Sequence, residues 1–528
     1  MSVEAATGRP RAPEEELDVH GQGNTLSAQI GRHARQWPER PAVTFAGRTT
    51  TYAELHDRAG RLAAVLRDRG VRTGDRVAIL ALNRTEYVEA LVAASRLGAI
   101  AVPLNFRLAA AEVAYQLRDC GAVALLTDAD LAAKASEATG ATGGTDVTVT
   151  LVMGPDYEAA LAAVGAPHPE TRVDEESAAV IIYTSGTTGV PKGAMLSHRN
   201  LATWVANRYA HLGFPSTCRV TLCAVPVFHV AGLATALSAA YVAGRLVLMP
   251  SGAFDAGEII DVLDREQVTM AFFVPAQWQA IVRHPALAGR TFPHFVCANW
   301  GAAPASAQLV REIHDAFPGL RLSTAFGQTE VCSSATVLLP EDAVHRPDSV
   351  GKPMLGVEAR VVDPQMNDVA PGEVGEIVYR GPTVMIGYWN APEKTAEAFR
   401  GGWFHSGDLV RVDEEGFLFV VDRIKDMIIS GGENVYCAEV ENVLAGHPKV
   451  GTVAVVGAPD ERWGEVPVAV VVPRGDEVPT AEELEAYGRQ HLAAYKVPKR
   501  VTVVPAMPMN ASGKIVKGEL RALVREDS

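Results

Sequence analysis

The chain has 528 residues, of which 48% are hydrophobic, and carries a net charge of −14. That length exceeds what one hydrophobic core normally supports, so two or more domains are expected. The acidic balance argues against a nucleic-acid-binding surface. Six scattered cysteines (Cys120, Cys218, Cys223, Cys297, Cys332, Cys437), with no CxxC pair and no metal-ligand spacing, predict a reduced, cytoplasmic protein.

Residues 1–24 combine Arg9, Arg11 and Glu14-Glu15-Glu16 with no apolar stretch after them, and read as a disordered tail rather than a secretory signal. Thr51 and Glu54 have capping-box spacing, and Leu55, Ala59, Leu62, Ala63 and Leu66 follow at helical intervals. Buried strands are predicted over 77–80, 100–103 and 122–127, with a helix over 86–97 between the first two; this alternation is α/β layering. Residues 132–144, rich in Ala, Thr and Gly, read as surface structure.

The apolar run 178–182 feeds Tyr183-Thr184-Ser185-Gly186-Thr187-Thr188-Gly189-Val190-Pro191-Lys192-Gly193. Hydroxyl residues and glycines in alternation leave backbone N–H groups free to wrap an anion, and one lysine adds charge. The pattern points to a triphosphate, yet it is not a Walker A loop, because Pro191 and Gly193 flank Lys192 where that motif needs Gly and Ser or Thr. Farther on, 220–244 carries no charged residue and is long enough to span a bilayer. Pro226, His229 and Gly232 interrupt it, so a buried strand, a loop and a core helix are predicted instead of a membrane span. Near residue 422 the pattern changes. Strands over 453–457 and 467–472 and a helix over 480–492 predict a separate compact unit.

The 183–193 stretch closely resembles the signature of the adenylate-forming superfamily, which includes acyl-CoA synthetases, luciferases and carrier-loading adenylation domains. Gly301-Ala302-Ala303-Pro304, Phe326-Gly327-Gln328-Thr329-Glu330, Gly402-Trp403-Phe404-His405-Ser406-Gly407-Asp408 and Asn510-Ala511-Ser512-Gly513-Lys514-Ile515 resemble further segments of that family, most like its bacterial fatty-acyl-CoA synthetases. The resemblance implies an α/β fold: an N-terminal ATP- and acyl-binding domain of layered sheets and helices over 25–422, and a small mobile α+β lid over 423–528. The hinge would lie near Lys425.

It also implies roles. Thr184, Ser185, Gly186, Thr187, Thr188, Gly189 and Lys192 would hold the phosphates of ATP. Gly301, Ala302, Ala303, Phe326, Gly327 and Thr329 would hold the adenine side, and Asp408 with Arg423 the ribose. Glu330, with Thr184, would hold Mg²⁺, a hard cation suited to oxygen ligands. Lys514 would be the catalytic lysine that bridges the acyl carboxylate and the α-phosphate, with Glu330 and His229 also catalytic. His229, Trp300 and Gly327 would line the acyl pocket. Gly431, Gly432 and Glu433 would meet coenzyme A after the lid rotates. Trp300 departs from the serine or threonine common before Gly301 in the family, which predicts a shortened or reshaped pocket.

The implied activity is an acid:CoA ligase that makes acyl-AMP and pyrophosphate and then acyl-CoA, acting on a medium- or long-chain fatty acid or an aryl acid. The alternative is an adenylating enzyme that hands its acid, even an unusual one such as nitrite, to a carrier protein or an amine. A non-catalytic nucleotide-binding regulator is a third reading. Homodimers are common among relatives.

Overall fold

The computed structural model describes residues 23–140, 144–184, 191–460, 462–475, 477–509 and 515–526. The predicted tail therefore lies outside the described residues except for Gly23 and Asn24, and so do Ser185, Gly186, Thr187, Thr188, Gly189 and Lys514.

Two large sheets organise the first four-fifths of the chain. One has seven strands, in the spatial order Gly387–Tyr388, Lys192–Ser197, Ala178–Thr184, Ile100–Pro103, Arg76–Leu80, Ala122–Asp128 and Val149–Met153. The last five run parallel, as α/β layering requires. The other has nine strands, and its centre consists of Cys297–Trp300, Met270–Phe273, Val220–Cys223 and Arg245–Leu248, all parallel, with Arg321–Phe326 beside Cys297–Trp300. Parallel strands deliver their carboxyl ends to one edge of a sheet, where ligand crevices form in open α/β folds.

Helix Tyr52–Asp68 begins with the predicted capping box: Thr51 Oγ1 accepts from Glu54 N–H at 3.2 Å, and Glu54 Oε2 accepts from Thr51 N–H at 2.8 Å. Its stripe of Leu55, Ala59, Leu62, Ala63 and Leu66 enters the main core, where each is at most 1% exposed. The charge-free stretch resolves into strand Val220–Cys223 and helix Val230–Tyr241. No helix among the described residues is long and apolar enough to cross a membrane.

A four-stranded antiparallel sheet, Glu358–Val362, Val374–Arg380, Phe404–Val412 and Leu418–Arg423, closes the larger part of the molecule. After Arg423 a five-stranded sheet begins, built on the long pair Val450–Asp460 and Gly464–Pro473, with its own apolar clusters. Residues 424–427 join the two sheets. The helix predicted over 480–492 is shorter, Ala481–Gly488, and starts with a capping box at Thr480.

Candidate active site

Strands Ala178–Thr184 and Lys192–Ser197 are antiparallel, and their register sets Thr184 opposite Lys192 and Tyr183 opposite Gly193. The two ends of the glycine- and hydroxyl-rich segment are thus held side by side, though its middle lies outside the described residues. Gly193 is obligatory for packing: a Cβ there would lie 2.7 Å from Ile181 Cγ2, and Trp389 donates its backbone N–H to Gly193 O at 2.7 Å.

Glu330 is brought to this edge by the short turn Thr329–Val331, which follows strand Arg321–Phe326. It is 6% exposed. Thr184 Oγ1 donates to Glu330 Oε1 at 3.5 Å, and the Tyr388 hydroxyl donates to the same oxygen at 3.0 Å. Lys192 Nζ stands over the Tyr388 ring, 5.0 Å from its centroid. Burial pushes the Glu330 carboxyl above its ordinary value, opposed by the Tyr388 hydrogen bond and the Arg423 charge. Burial and the Glu330 charge in turn push the Tyr388 phenol up.

A buried carboxylate whose donors are two neutral hydroxyls suits a cation. The donor set is hard oxygen, but among the described residues no group of three or more acidic, His or Cys side chains could hold a metal by itself. It fits magnesium shared with substrate phosphates, the usual arrangement for that ion.

The segments that resemble an adenine site meet nearby. Gly301 follows strand Cys297–Trp300, and Ala302 adopts φ +65°, the left-handed region that a residue with a Cβ enters at a cost. Cys332 and Ser333, just past Glu330, share that conformation at +57° and +90°. Phe326 and Thr329 are half-buried, and Ala302 and Ala303 are exposed. Gln328, absent from the expected site residues, donates Nε2–H to Ser406 O at 3.3 Å and so ties the 326–330 segment to the turn that carries Asp408.

Asp408 and Arg423 face each other across strands Phe404–Val412 and Leu418–Arg423, and Arg423 Nε lies 2.7 Å from Asp408 Oδ1. Asp408 is 3% exposed and its N–H donates to Ser406 Oγ at 3.0 Å. Lys425 lies two residues beyond, in the connection between the sheets, its ammonium held below its ordinary pKa chiefly by burial.

Other expected residues acquire structural explanations. His229 caps helix Val230–Tyr241, its Nδ1 accepting from Ala231 N–H at 3.2 Å. Trp300 is 2% exposed within the cluster of Phe273, Trp278 and Phe295. A Cβ on Gly327 would lie 2.7 Å from Ser334 Cα and 2.8 Å from Ala335 N, so close backbone approach accounts for that glycine. Gly431 and Gly432, at φ +61° and +88°, form the two-residue turn of the hairpin that pairs Ser430 with Glu433; left-handed φ at both positions is what a type I′ hairpin requires. Glu433 is exposed.

Tyr388, like Gln328, is a site residue that sequence reasoning missed. The signal was faint: Gly387-Tyr388 is a two-residue strand whose partner, Lys192–Ser197, lies almost two hundred positions earlier.

A family model for "AMP-binding enzyme" matches residues 30–389, and one for "AMP-binding enzyme C-terminal domain" matches 439–514. The chain is similar to a feruloyl-CoA synthase of an Amycolatopsis species, with 43% identity covering 93% of this chain and 97% of the relative. It is also similar to the long-chain-fatty-acid–CoA ligase FadD13 of Mycobacterium tuberculosis, with 38% identity covering 89% and 92%. Among solved structures, the o-succinylbenzoate CoA synthetase of Bacillus subtilis in complex with its acyl-adenylate intermediate matches with a TM-score of 0.85 and 33% identity, covering 93% of this chain and 97% of that one. The same enzyme in complex with ATP and a magnesium ion matches with a TM-score of 0.83 and 33% identity, covering 93% and 98%.

Proposed function

The chain belongs to the AMP-binding enzyme family and is an AMP-forming acid–thiol ligase, and from that premise we propose that it activates an aryl acid or a medium- to long-chain fatty acid and passes it to coenzyme A. The observation that carries this reading is the convergence of Thr184, Lys192, Glu330 and Tyr388 at one sheet edge, with Asp408 and Arg423 joined to it through Gln328. The names of the feruloyl-CoA and long-chain-fatty-acid relatives support both acid classes.

In the first half-reaction a carboxylate oxygen attacks the α-phosphorus of ATP and pyrophosphate leaves. Two anions must approach, so positive charge has to be supplied. Lys192, whose Nζ stands over the Tyr388 ring opposite Thr184, would meet the phosphates. Asp408 accepts from the ribose hydroxyls while Arg423 holds its other side. Glu330 and Thr184 would hold magnesium, which when bound screens the phosphate charge. Lys514 would bridge the acid and the α-phosphate. In the second half-reaction the thiol attacks the acyl carbonyl and AMP leaves. Rotation about Lys425 would bring the Gly431-Gly432 turn to the site and carry Lys514 away.

Acid-dependent exchange of labelled pyrophosphate into ATP across aryl and aliphatic acids, with and without coenzyme A, tests the reading. Exchange without coenzyme A and thioester only with it are expected. No exchange with any acid would overturn it.

A further inference from the structure

Strands Val374–Arg380 and Phe404–Val412 do not pair as a regular ladder. Glu376 faces Leu409 and Val378 faces His405, so one residue, Ile377, lies opposite three, Ser406, Gly407 and Asp408. Extra residues on one strand form a bulge, which bends that strand and re-aims the side chains it carries. This bulge carries Asp408, the residue proposed to accept from the ribose hydroxyls.

A bulge takes backbone groups out of the ladder, and each then needs another partner. Ser406 O accepts from Gln328 Nε2–H at 3.3 Å, and Ser406 Oγ accepts from Asp408 N–H at 3.0 Å while donating to Ile377 O. Gly407 O accepts from Ile424 N–H at 2.9 Å, immediately past Arg423. The Gly407 N–H donates to a side chain on the other flanking strand, Glu376 Oε1, at 2.9 Å. Gly407 stands at φ +73°, which glycine enters without strain, so its conformation is set by these partners rather than by its own backbone.

Glu376 is itself held. Its second oxygen, Oε2, accepts from His405 Nδ1 at 2.7 Å, and the Glu376 and His405 side chains are 13% and 9% exposed. A carboxylate with both oxygens engaged keeps one orientation, and hydrogen bonds to an ionised acceptor are the stronger class. Asp408 thus sits between two clamps: Arg423 on its Oδ1 from one flanking strand, and Glu376 on the preceding peptide from the other.

We propose that Glu376, oriented by His405, is a positioning residue for the nucleotide: it fixes the 406–408 bulge and thereby aims the Asp408 carboxylate at the ribose hydroxyls. It touches no substrate and acts through the Gly407 peptide. This rests on the ribose reading of Asp408 and adds to it the group that sets the direction of that carboxylate.

The test is calorimetric affinity for ATP and for 2′-deoxy-ATP, each with magnesium, which needs no acid substrate. The wild-type protein is expected to prefer ATP by ~10-fold or more, the scale of one hydrogen bond to a charged group. Asp408→Asn should lose most of that preference. Glu376→Ala should cut it by ~3-fold or more, and Glu376→Gln, which keeps an oxygen for the Gly407 N–H, should restore most of it. A group that only stabilised the fold would weaken both nucleotides alike. Added to Asp408→Asn, Glu376→Ala should lower the preference no further. A wild-type preference retained in Glu376→Ala overturns the proposal, and so does a further loss in the double variant. An unchanged preference in Asp408→Asn identifies the ribose reading as the failure, and the proposal falls with it. Should Glu376→Ala not fold, His405→Ala, which frees the carboxylate without removing it, is expected to lower the preference in the same direction; no change there overturns the proposal.

Discussion

The Tyr388 hydroxyl donates to Glu330 Oε1 at 3.0 Å, joining the smallest strand of the seven-stranded sheet to the turn that follows a strand of the nine-stranded one. This contact orients the carboxylate proposed to hold the cation. Tyr388→Phe removes it and leaves the ring under Lys192. A hydrogen bond to a charged group contributes about 1.5–3 kcal/mol, so kcat/KM for ATP should drop by roughly 10- to 100-fold. The magnesium concentration for half-maximal exchange should rise as well. An unaltered magnesium titration would remove Tyr388 from the site.

Glu330 couples function to pH. Its folded-state pKa is raised by burial, so the stability it contributes is full at low pH and is lost as pH rises through that value. Glu330→Gln, which stays neutral, should raise the melting temperature of the ligand-free protein more at pH 8 than at pH 5. Exchange should drop by ~10²-fold, the scale of losing one charge-stabilising group. A variant that melts no higher than wild type at pH 8 would contradict the account of its burial.

Asp408 is almost fully buried and ion-paired with Arg423. Asp408→Asn keeps the shape but surrenders the charge that accepts from a ribose. Calorimetry should show nucleotide affinity weakened by about 10-fold or more, since such bonds are the stronger class. Retention of wild-type affinity would place the ribose elsewhere.

Gly431→Ala sets a Cβ at φ +61° and 2.6 Å from Trp463 Cε3. Left-handed backbone alone costs about 1–2 kcal/mol for a residue other than glycine. If the 431–432 turn meets coenzyme A, thioester formation should suffer by ~10-fold relative to pyrophosphate exchange, read in parallel assays. Equal losses in the two would assign the turn to folding alone.

Lys514→Ala should lower adenylation by roughly 10²–10³ while sparing thioester formation from supplied acyl-AMP. Comparable defects in both half-reactions would refute its role as the bridging lysine.

How much of this was readable in the residues differs by element. Local signals held: the Thr51–Glu54 capping box, the strand–loop–helix division of 220–244 and the α/β alternation all depend on neighbours in the chain. Tyr388 was hidden because its partners come from strands far away in sequence, and two residues carry no periodicity. Gly327 reads as lining the acyl pocket, and the structure shows the backbone of 333–335 filling the direction its side chain would take. Trp300 likewise reads as a pocket wall, and the structure places it in an aromatic core cluster.

The antiparallel register that sets Thr184 opposite Lys192 has one more implication. Side chains on a strand alternate between faces, so a slip of this pairing by a single residue would turn the lysine to the wrong side of the sheet. The register of that pair is consequently constrained as strictly as the chemistry of the residues it joins, and changes within either strand that shift it should be lethal to activity even where every glycine and hydroxyl is kept.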